Sequence, residues 1–89
     1  MRPIDPARLI HNVGGRLGEL RRDGGMTQQE VADRLQVTLR YVQKVEAGEE
    51  NLTLRSLAEF ANALRVSLEA LLVSPQPRKR RPGRPGKQG

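Results

Sequence analysis

Four hydroxyl-bearing residues divide the middle of the chain into short amphipathic segments. Thr27, Thr38, Thr53 and Ser67 each precede a stretch in which apolar residues recur at steps of three or four. A hydroxyl placed just before a helix accepts hydrogen bonds from the free amides of its first turn, and this spacing puts apolar side chains on one helical face. No stretch alternates apolar and polar residues with a period of two. We therefore expect an all-α fold of short helices.

A longer helix is predicted ahead of these segments. Asp5 and Pro6 form a helix start, because aspartate caps free amides and proline suits the first helical position. An apolar stripe follows, formed by Leu9, Val13, Leu17 and Leu20. Gly14, Gly15 and Gly18 interrupt this helix, and each costs up to about 1 kcal/mol relative to alanine. Either another helix packs very closely here or this helix is weak.

The remaining helices bring the predicted total to five. Thr27 and Glu30 match a capping box at the start of the second helix, and Gly48 ends the third. The positions expected to be apolar faces are Val31, Ala32 and Leu35, then Leu39, Val42 and Val45, then Leu54, Leu57, Ala58, Ala61 and Leu64, and finally Leu68, Leu71 and Leu72. Pro75 closes the predicted domain, which spans residues 1–74.

The net charge of +6 resides in the last part of the chain. Residues 1–74 contain ten basic and ten acidic residues, so this block is neutral. Residues 75–89 contain six basic residues, four prolines, three glycines and no aliphatic or aromatic side chain. Such a segment cannot build a core, so we expect a disordered basic tail whose partner is a polyanion.

The composition argues against several classes of function. Without cysteine there are no disulfides, thiolate metal sites or thiol nucleophiles. His11 is the single histidine and lies off the apolar stripe of the first helix, and no metal cluster, catalytic triad or P-loop spacing accompanies it. We expect no enzyme activity, no cofactor and no metal. No apolar run approaches the roughly 18 residues of a membrane span, and nothing after Met1 resembles a signal peptide, so a cytoplasmic protein is expected.

The segment MTQQEVADRLQVTLRYVQKVEAGEENLTLRSLAEFANALRVSLEALL resembles the XRE family, the phage repressor–Cro type of helix-turn-helix. Two short helices joined around Gln36–Thr38 fit that geometry. Arg21 four residues before Gly25, together with the order and spacing of the five helices, extends the resemblance from about residue 9 to residue 73. It implies a five-helix, repressor-like domain that binds double-stranded DNA sequence-specifically and regulates transcription.

The third predicted helix carries the candidate base-reading residues. The resemblance places Leu39, Arg40 and Lys44 at the family's base-contact positions, and Gln43 is the remaining long polar side chain. Arginine and lysine can donate to guanine O6 and N7, whereas leucine offers apolar contact to a thymine methyl. Two alternatives remain open: Leu39 belongs to the core, or the basic pair is solvated surface charge.

Phosphate contacts are expected around the starts of the helices. Gln28 and Gln29 lie in the first turn of the second helix, where free amides and the helix dipole suit an anion. The resemblance gives Gln28 the role of clamping the DNA backbone; the alternative is ordinary helix surface. Tyr41 either donates to a phosphate or covers the junction with the fourth helix. The other candidates are Thr27, Thr38, Asn51 and Arg55.

Charges near the third helix form a second group of predictions. The resemblance pairs Arg21 with Glu46 beneath the helix-turn-helix. If that pair is buried, removing one partner lowers the stability of the fold by about 3–5 kcal/mol. The alternative is a surface pair that contributes under about 1 kcal/mol to stability. Glu49 and Glu50 depart from the family, because this loop is commonly basic or polar. Either the loop tilts away from DNA or the tail supplies affinity.

The tail has its own resemblance. Its Gly-Arg-Pro centre resembles an AT-hook, although Pro82 stands where an arginine is usual. Hook-like minor-groove contact, nonspecific phosphate binding and an unrelated role remain open. The residues expected to contact DNA are Arg78, Lys79, Arg80, Arg81, Arg84 and Lys87.

Self-association is expected because one helix-turn-helix reads only a few base pairs. A homodimer on a palindromic operator spans two half-sites about 34 Å apart. Leu68, Leu72 and Val73 are the candidate interface residues, unless they only close the core. Two other functions compete with this one: an antitoxin-like or accessory subunit whose main partner is a protein, and a nucleoid-type or RNA-binding protein driven by the tail.

Overall fold

The computed structural model describes residues 2–76, which form five helices. These are α1 (Pro6–Asp23), α2 (Gln28–Leu35), α3 (Leu39–Glu46), α4 (Leu54–Leu64) and α5 (Leu68–Leu71). Within residues 2–76 there is no strand, and the predicted all-α, five-helix fold is confirmed. Residues 77–89, with every predicted DNA contact of the tail, lie outside the described residues. None of the described helices is long and apolar enough to cross a membrane.

Each helix begins at a side-chain cap. The capping residues, each accepting from a backbone amide two or three residues later, are Asp5, Thr27, Thr38, Thr53 and Ser67. At α2 the capping box is complete, with the Thr27 amide donating to Glu30 at 2.7 Å and the Glu30 amide donating to Thr27 at 3.0 Å. A cap stabilises a helix by about 1 kcal/mol, which matters most for helices of eight residues or fewer.

All five helices contribute to one core. Its buried members are Val13, Leu17, Val31, Ala32, Val42, Val45, Phe60, Ala61, Leu64 and Leu71. Five predicted apolar-face positions are instead exposed, including Leu68 and Leu72 at the end of the described fold. Leu54 is 80% exposed because it is the first residue of α4, a full turn before the half-buried Leu57. Ala58 and Leu9 are also exposed, and the buried face of α4 runs through Phe60, which the predicted stripe omitted.

The glycines of α1 allow a close helix crossing. A methyl group at Gly14 would overlap the carbonyl oxygen of Val45, and one at Gly18 would lie 2.9 Å from Glu46 Oε1. The end of α3 therefore packs directly against the α1 backbone. Of the two possibilities left open by the sequence, close packing is the correct one at these positions.

The chain after α5 returns to α1. Arg16 Nε donates to the Ala70 carbonyl at 2.8 Å, and its Nη1 pairs with Glu19 at 2.6 Å. The Glu19 carboxylate also accepts from the Gln76 amide at 2.8 Å. Contact with α1 thus extends two residues beyond the predicted domain end at residue 74.

Candidate nucleic-acid interface

The turn between α2 and α3 is built by backbone geometry and a cap. Gln36 adopts a left-handed conformation, with φ 58° and ψ 45°. The Val37 amide then donates to the Ala32 carbonyl at 3.0 Å, which closes the end of α2. Thr38 caps α3 immediately afterwards, accepting from the Tyr41 amide at 3.0 Å. The two helices therefore follow one another through a tight turn, as a helix-turn-helix requires.

The two faces of α3 differ in chemistry. Val42 and Val45 are fully buried against the core. Arg40 and Gln43 are exposed on the other side, and two residues are half-buried, Leu39 and Lys44. Leu39 is not among the buried core residues, so its side chain remains partly available for apolar contact. The exposed face of α3 is therefore polar and basic.

The ion pair beneath the helix-turn-helix is largely buried. Arg21 Nε donates to Glu46 Oε2 at 2.7 Å and Arg21 Nη2 to Glu46 Oε1 at 3.1 Å, with the side chains 12% and 11% exposed. Arg21 Nη1 also donates to the Met26 carbonyl at 2.8 Å. This bidentate arrangement joins the end of α1 to the end of α3.

Gln28 belongs to the same network. Its Nε2 donates to Glu46 Oε1 at 3.0 Å, which fixes the side chain in the first turn of α2. Gln29, by contrast, is exposed and donates to Asp33 at 2.9 Å. The sequence carries no signal for the bond between Gln28 and Glu46, because its two partners come together only when α2 packs on α3.

The other predicted phosphate contacts fall into three groups. The hydroxyl oxygens of Thr27 and Thr38 accept the cap hydrogen bonds, so these side chains serve the helix starts. The Tyr41 ring stacks on Phe60 with centroids 6.5 Å apart, so it covers the α3 and α4 junction. Asn51 and Arg55 are exposed near the start of α4.

The acidic loop after α3 reaches back to the helix. Glu50 Oε2 lies 3.6 Å from Lys44 Nζ, and the two side chains are 32% and 42% exposed. Glu49 is exposed and has no ion-pair partner within 4.0 Å among residues 2–76. Sequence reasoning identified both acids but missed this pairing, for which a six-residue separation across a turn gives no periodic signal.

The candidate dimer residues lie on the surface. Leu68 and Val73 are exposed, Leu72 is 54% exposed, and Leu71 is the buried residue of α5. Leu72 also lines a cavity of about 120 Å³. The other apolar residues lining this cavity are Leu9, Ile10, Val13, Leu52 and Leu57. The three predicted interface residues are therefore exposed, and none of them belongs to the buried core.

Comparison with known proteins identifies the family. Residues 17–71 match a family model described as helix-turn-helix. The chain is 41% identical over 63 residues to the uncharacterized HTH-type transcriptional regulator y4dJ of Sinorhizobium fredii, covering 71% of this chain and 80% of that protein. The chain therefore belongs to the helix-turn-helix family, and the predicted XRE-type resemblance is confirmed.

Two solved structures show the same fold at similar sequence distance. The restriction-modification controller protein C.AhdI from Aeromonas hydrophila has a TM-score of 0.66 and 32% identity, covering 70% of this chain and 94% of that one. The controller protein C.Esp1396I, solved as a tetramer with its natural 35 base-pair operator, has a TM-score of 0.63 and 26% identity, covering 73% and 96%. This fold is thus one that DNA-binding regulators use.

Proposed function

We propose that this chain is a sequence-specific transcriptional regulator that reads the major groove of double-stranded DNA with α3. The observation that carries the proposal is the helix-turn-helix geometry, in which α3 buries Val42 and Val45 and exposes Arg40 and Gln43. The major groove admits one such helix. A regulator of this kind would act in the cytoplasm, at the nucleoid.

Four residues of α3 are proposed to contact base edges in the major groove. Arg40 and Lys44 would donate to guanine O6 and N7, Gln43 would offer an amide to a base edge, and Leu39 would contact a thymine methyl. Gln28, held by Glu46 in the first turn of α2, would donate to a phosphate. Gln29, Thr27, Thr38, Tyr41, Asn51 and Arg55 are the further candidates for backbone contact. Such contacts set register without reading sequence.

Selection of bound duplexes from a random pool tests this function. Sequence-specific reading predicts enrichment of one consensus, and recovery of the input base composition would contradict it. A consensus with two inverted half-sites would also establish a dimer, because operator symmetry mirrors protein symmetry.

The dimer is proposed to form through Leu68, Leu72 and Val73, which are exposed around the end of α5. Replacing Leu72 by glutamate would place a charge in that interface, so the variant should sediment as a monomer and bind the palindrome at least about tenfold more weakly. Leu54→Glu is the matched control, because Leu54 is 80% exposed on α4. Equal oligomeric states for both variants would refute this interface.

The basic tail is proposed to supply salt-sensitive affinity. Each phosphate that it neutralises should add about −0.9 to the slope of log affinity against log salt. Truncation after Gln76 is the appropriate test, since Pro75 packs on Gly15 and the Gln76 amide bonds to Glu19. An unchanged slope would show that the tail neutralises no phosphates. Loss of sequence preference would instead favour a nucleoid-type or RNA-binding protein whose binding depends on the tail.

An antitoxin-like or accessory role is the second candidate, and the exposed apolar surface around α5 favours it. A protein partner would then occupy that surface. Partner binding undiminished by Arg40→Ala and Lys44→Ala, in variants that no longer bind DNA, would support this role.

A further inference from the structure

An acidic side chain lies beside one of the proposed base-reading residues. Glu50 pairs with Lys44 across 3.6 Å, on a helix whose exposed face otherwise carries Arg40 and Gln43. Both members of the pair keep substantial solvent exposure. Such pairs are weak, so Lys44 can leave Glu50 when another anion offers a better contact.

The backbone, more than the ion pair, places Glu50 beside Lys44. Gly48 has φ +77° and turns the chain after α3, while the Glu49 amide donates to the Lys44 carbonyl at 2.9 Å. A methyl group at Gly48 would lie 2.8 Å from His11 Nδ1, so α1 packs closely against this turn. Glu50 is also one of the residues that line the apolar cavity beside Leu52. The carboxylate is therefore positioned before any DNA arrives.

We propose that Glu50 limits DNA affinity by competing with DNA for the Lys44 ammonium. This inference rests on the proposed function of α3. When Lys44 moves to a guanine or a phosphate, it must separate from Glu50 and leave a carboxylate without its partner near a polyanion. The carboxylate then repels the phosphates at a range set by the Debye length, about 10 Å at 0.1 M salt. Removing the carboxylate removes both the competition and the repulsion.

The test is a double-mutant cycle measured on the selected duplex with the full chain. Glu50→Gln should bind about three- to tenfold more tightly than the original protein. The matched control is Glu49→Gln, which removes the same charge from the neighbouring, exposed acid, and it should gain less than about half as much. In a Lys44→Ala background the gain from Glu50→Gln should fall to about that of Glu49→Gln, because the repulsion of phosphates remains but there is no ammonium left to compete for.

Each outcome decides the question. Equal gains for the two glutamine variants, or a Glu50→Gln gain that is undiminished in Lys44→Ala, would overturn the competition and indicate a general charge effect. Failure of the original protein to prefer any duplex would overturn the proposed function and this inference with it. Thermal unfolding should give matching midpoints for all variants, since Lys44 and Glu50 both lie at the surface.

Discussion

Each face of α3 takes part in one ion pair, and the two pairs differ in kind: Glu46 on the inner face pairs with Arg21, and Lys44 on the outer face pairs with Glu50 of the following loop. Glu46 is largely buried and accepts two hydrogen bonds from Arg21 and one from Gln28. Glu50 meets Lys44 at 3.6 Å with much of both side chains in solvent. The Arg21–Glu46 pair holds α1 and α3 together, whereas under the proposed function Lys44 leaves Glu50 to bind DNA.

The largest expected effect comes from breaking the inner pair. Arg21→Ala leaves the buried Glu46 carboxylate with Gln28 as its remaining side-chain donor, so the free energy of unfolding should fall by about 3 kcal/mol. Urea denaturation measures this loss. Arg22→Ala is the matched control, because Arg22 is exposed on the same turn of α1, and it should change stability by less than about 0.5 kcal/mol. Equal losses would contradict the assignment of Arg21 to the scaffold.

A steric change tests the same inner face without altering charge. Gly14→Ala forces a methyl group into the Val45 carbonyl, and overpacking of this kind costs about 1–3 kcal/mol. In Gly15→Ala the new methyl would lie 3.3 Å from the Pro75 side chain, a contact that can shift slightly. Since alanine favours a helix by up to about 1 kcal/mol over glycine, this variant should be neutral or more stable. Thermal unfolding of both proteins would show whether the close crossing occurs at Gly14.

A third pair, Arg16 with Glu19, lies within α1, and its contribution to stability should depend on pH. The hydrogen bond from Arg16, aided by the Gln76 amide, lowers the pKa of Glu19 below its usual value. The stabilisation is therefore present above the ordinary glutamate pKa of about 4.3 and is lost as the pH falls through the lowered pKa. Glu19→Gln should lower the melting temperature at neutral pH and have a diminishing effect toward pH 3. A difference that stays constant across this range would rule out the ionised contact.

Breaking the outer pair should have the smallest effect on stability. Lys44→Ala removes a partly exposed ion pair, so the free energy of unfolding should change by less than about 1 kcal/mol. Affinity for the selected duplex should nevertheless fall, by about 5- to 150-fold if Lys44 contacts a guanine. A large loss of stability in urea denaturation would place Lys44 with Arg21 in the scaffold.

Local chemistry explains which parts of this account the sequence could predict. The helix starts at Thr27, Thr38, Thr53 and Ser67 depend on hydrogen bonds within three residues, and all four occur where expected. Leu54 was misplaced because periodicity gives the face of a helix and not how far along its axis the core extends.

Tertiary contacts set the limit on the rest. The role of Gly14 and Gly18 depended on whether α3 would approach α1, and the sequence left that open. The hydrogen bond that Gln28 donates to Glu46 and the ion pair between Lys44 and Glu50 arise only once the chain is packed. For the same reason, the sequence could predict Arg40 and Lys44 as base-contacting residues but could not show that Glu50 lies beside Lys44.

Arg40 provides the most direct test, because it is exposed on the proposed reading face of α3. Duplex selection should be repeated with Arg40→Ala, with Arg8→Ala as the control that removes an exposed arginine from α1. The account predicts that Arg40→Ala loses about 1–3 kcal/mol of binding and relaxes the preference at one base pair of each half-site. Arg8→Ala should retain the full consensus. An Arg40→Ala consensus identical to that of the original protein would contradict reading by α3.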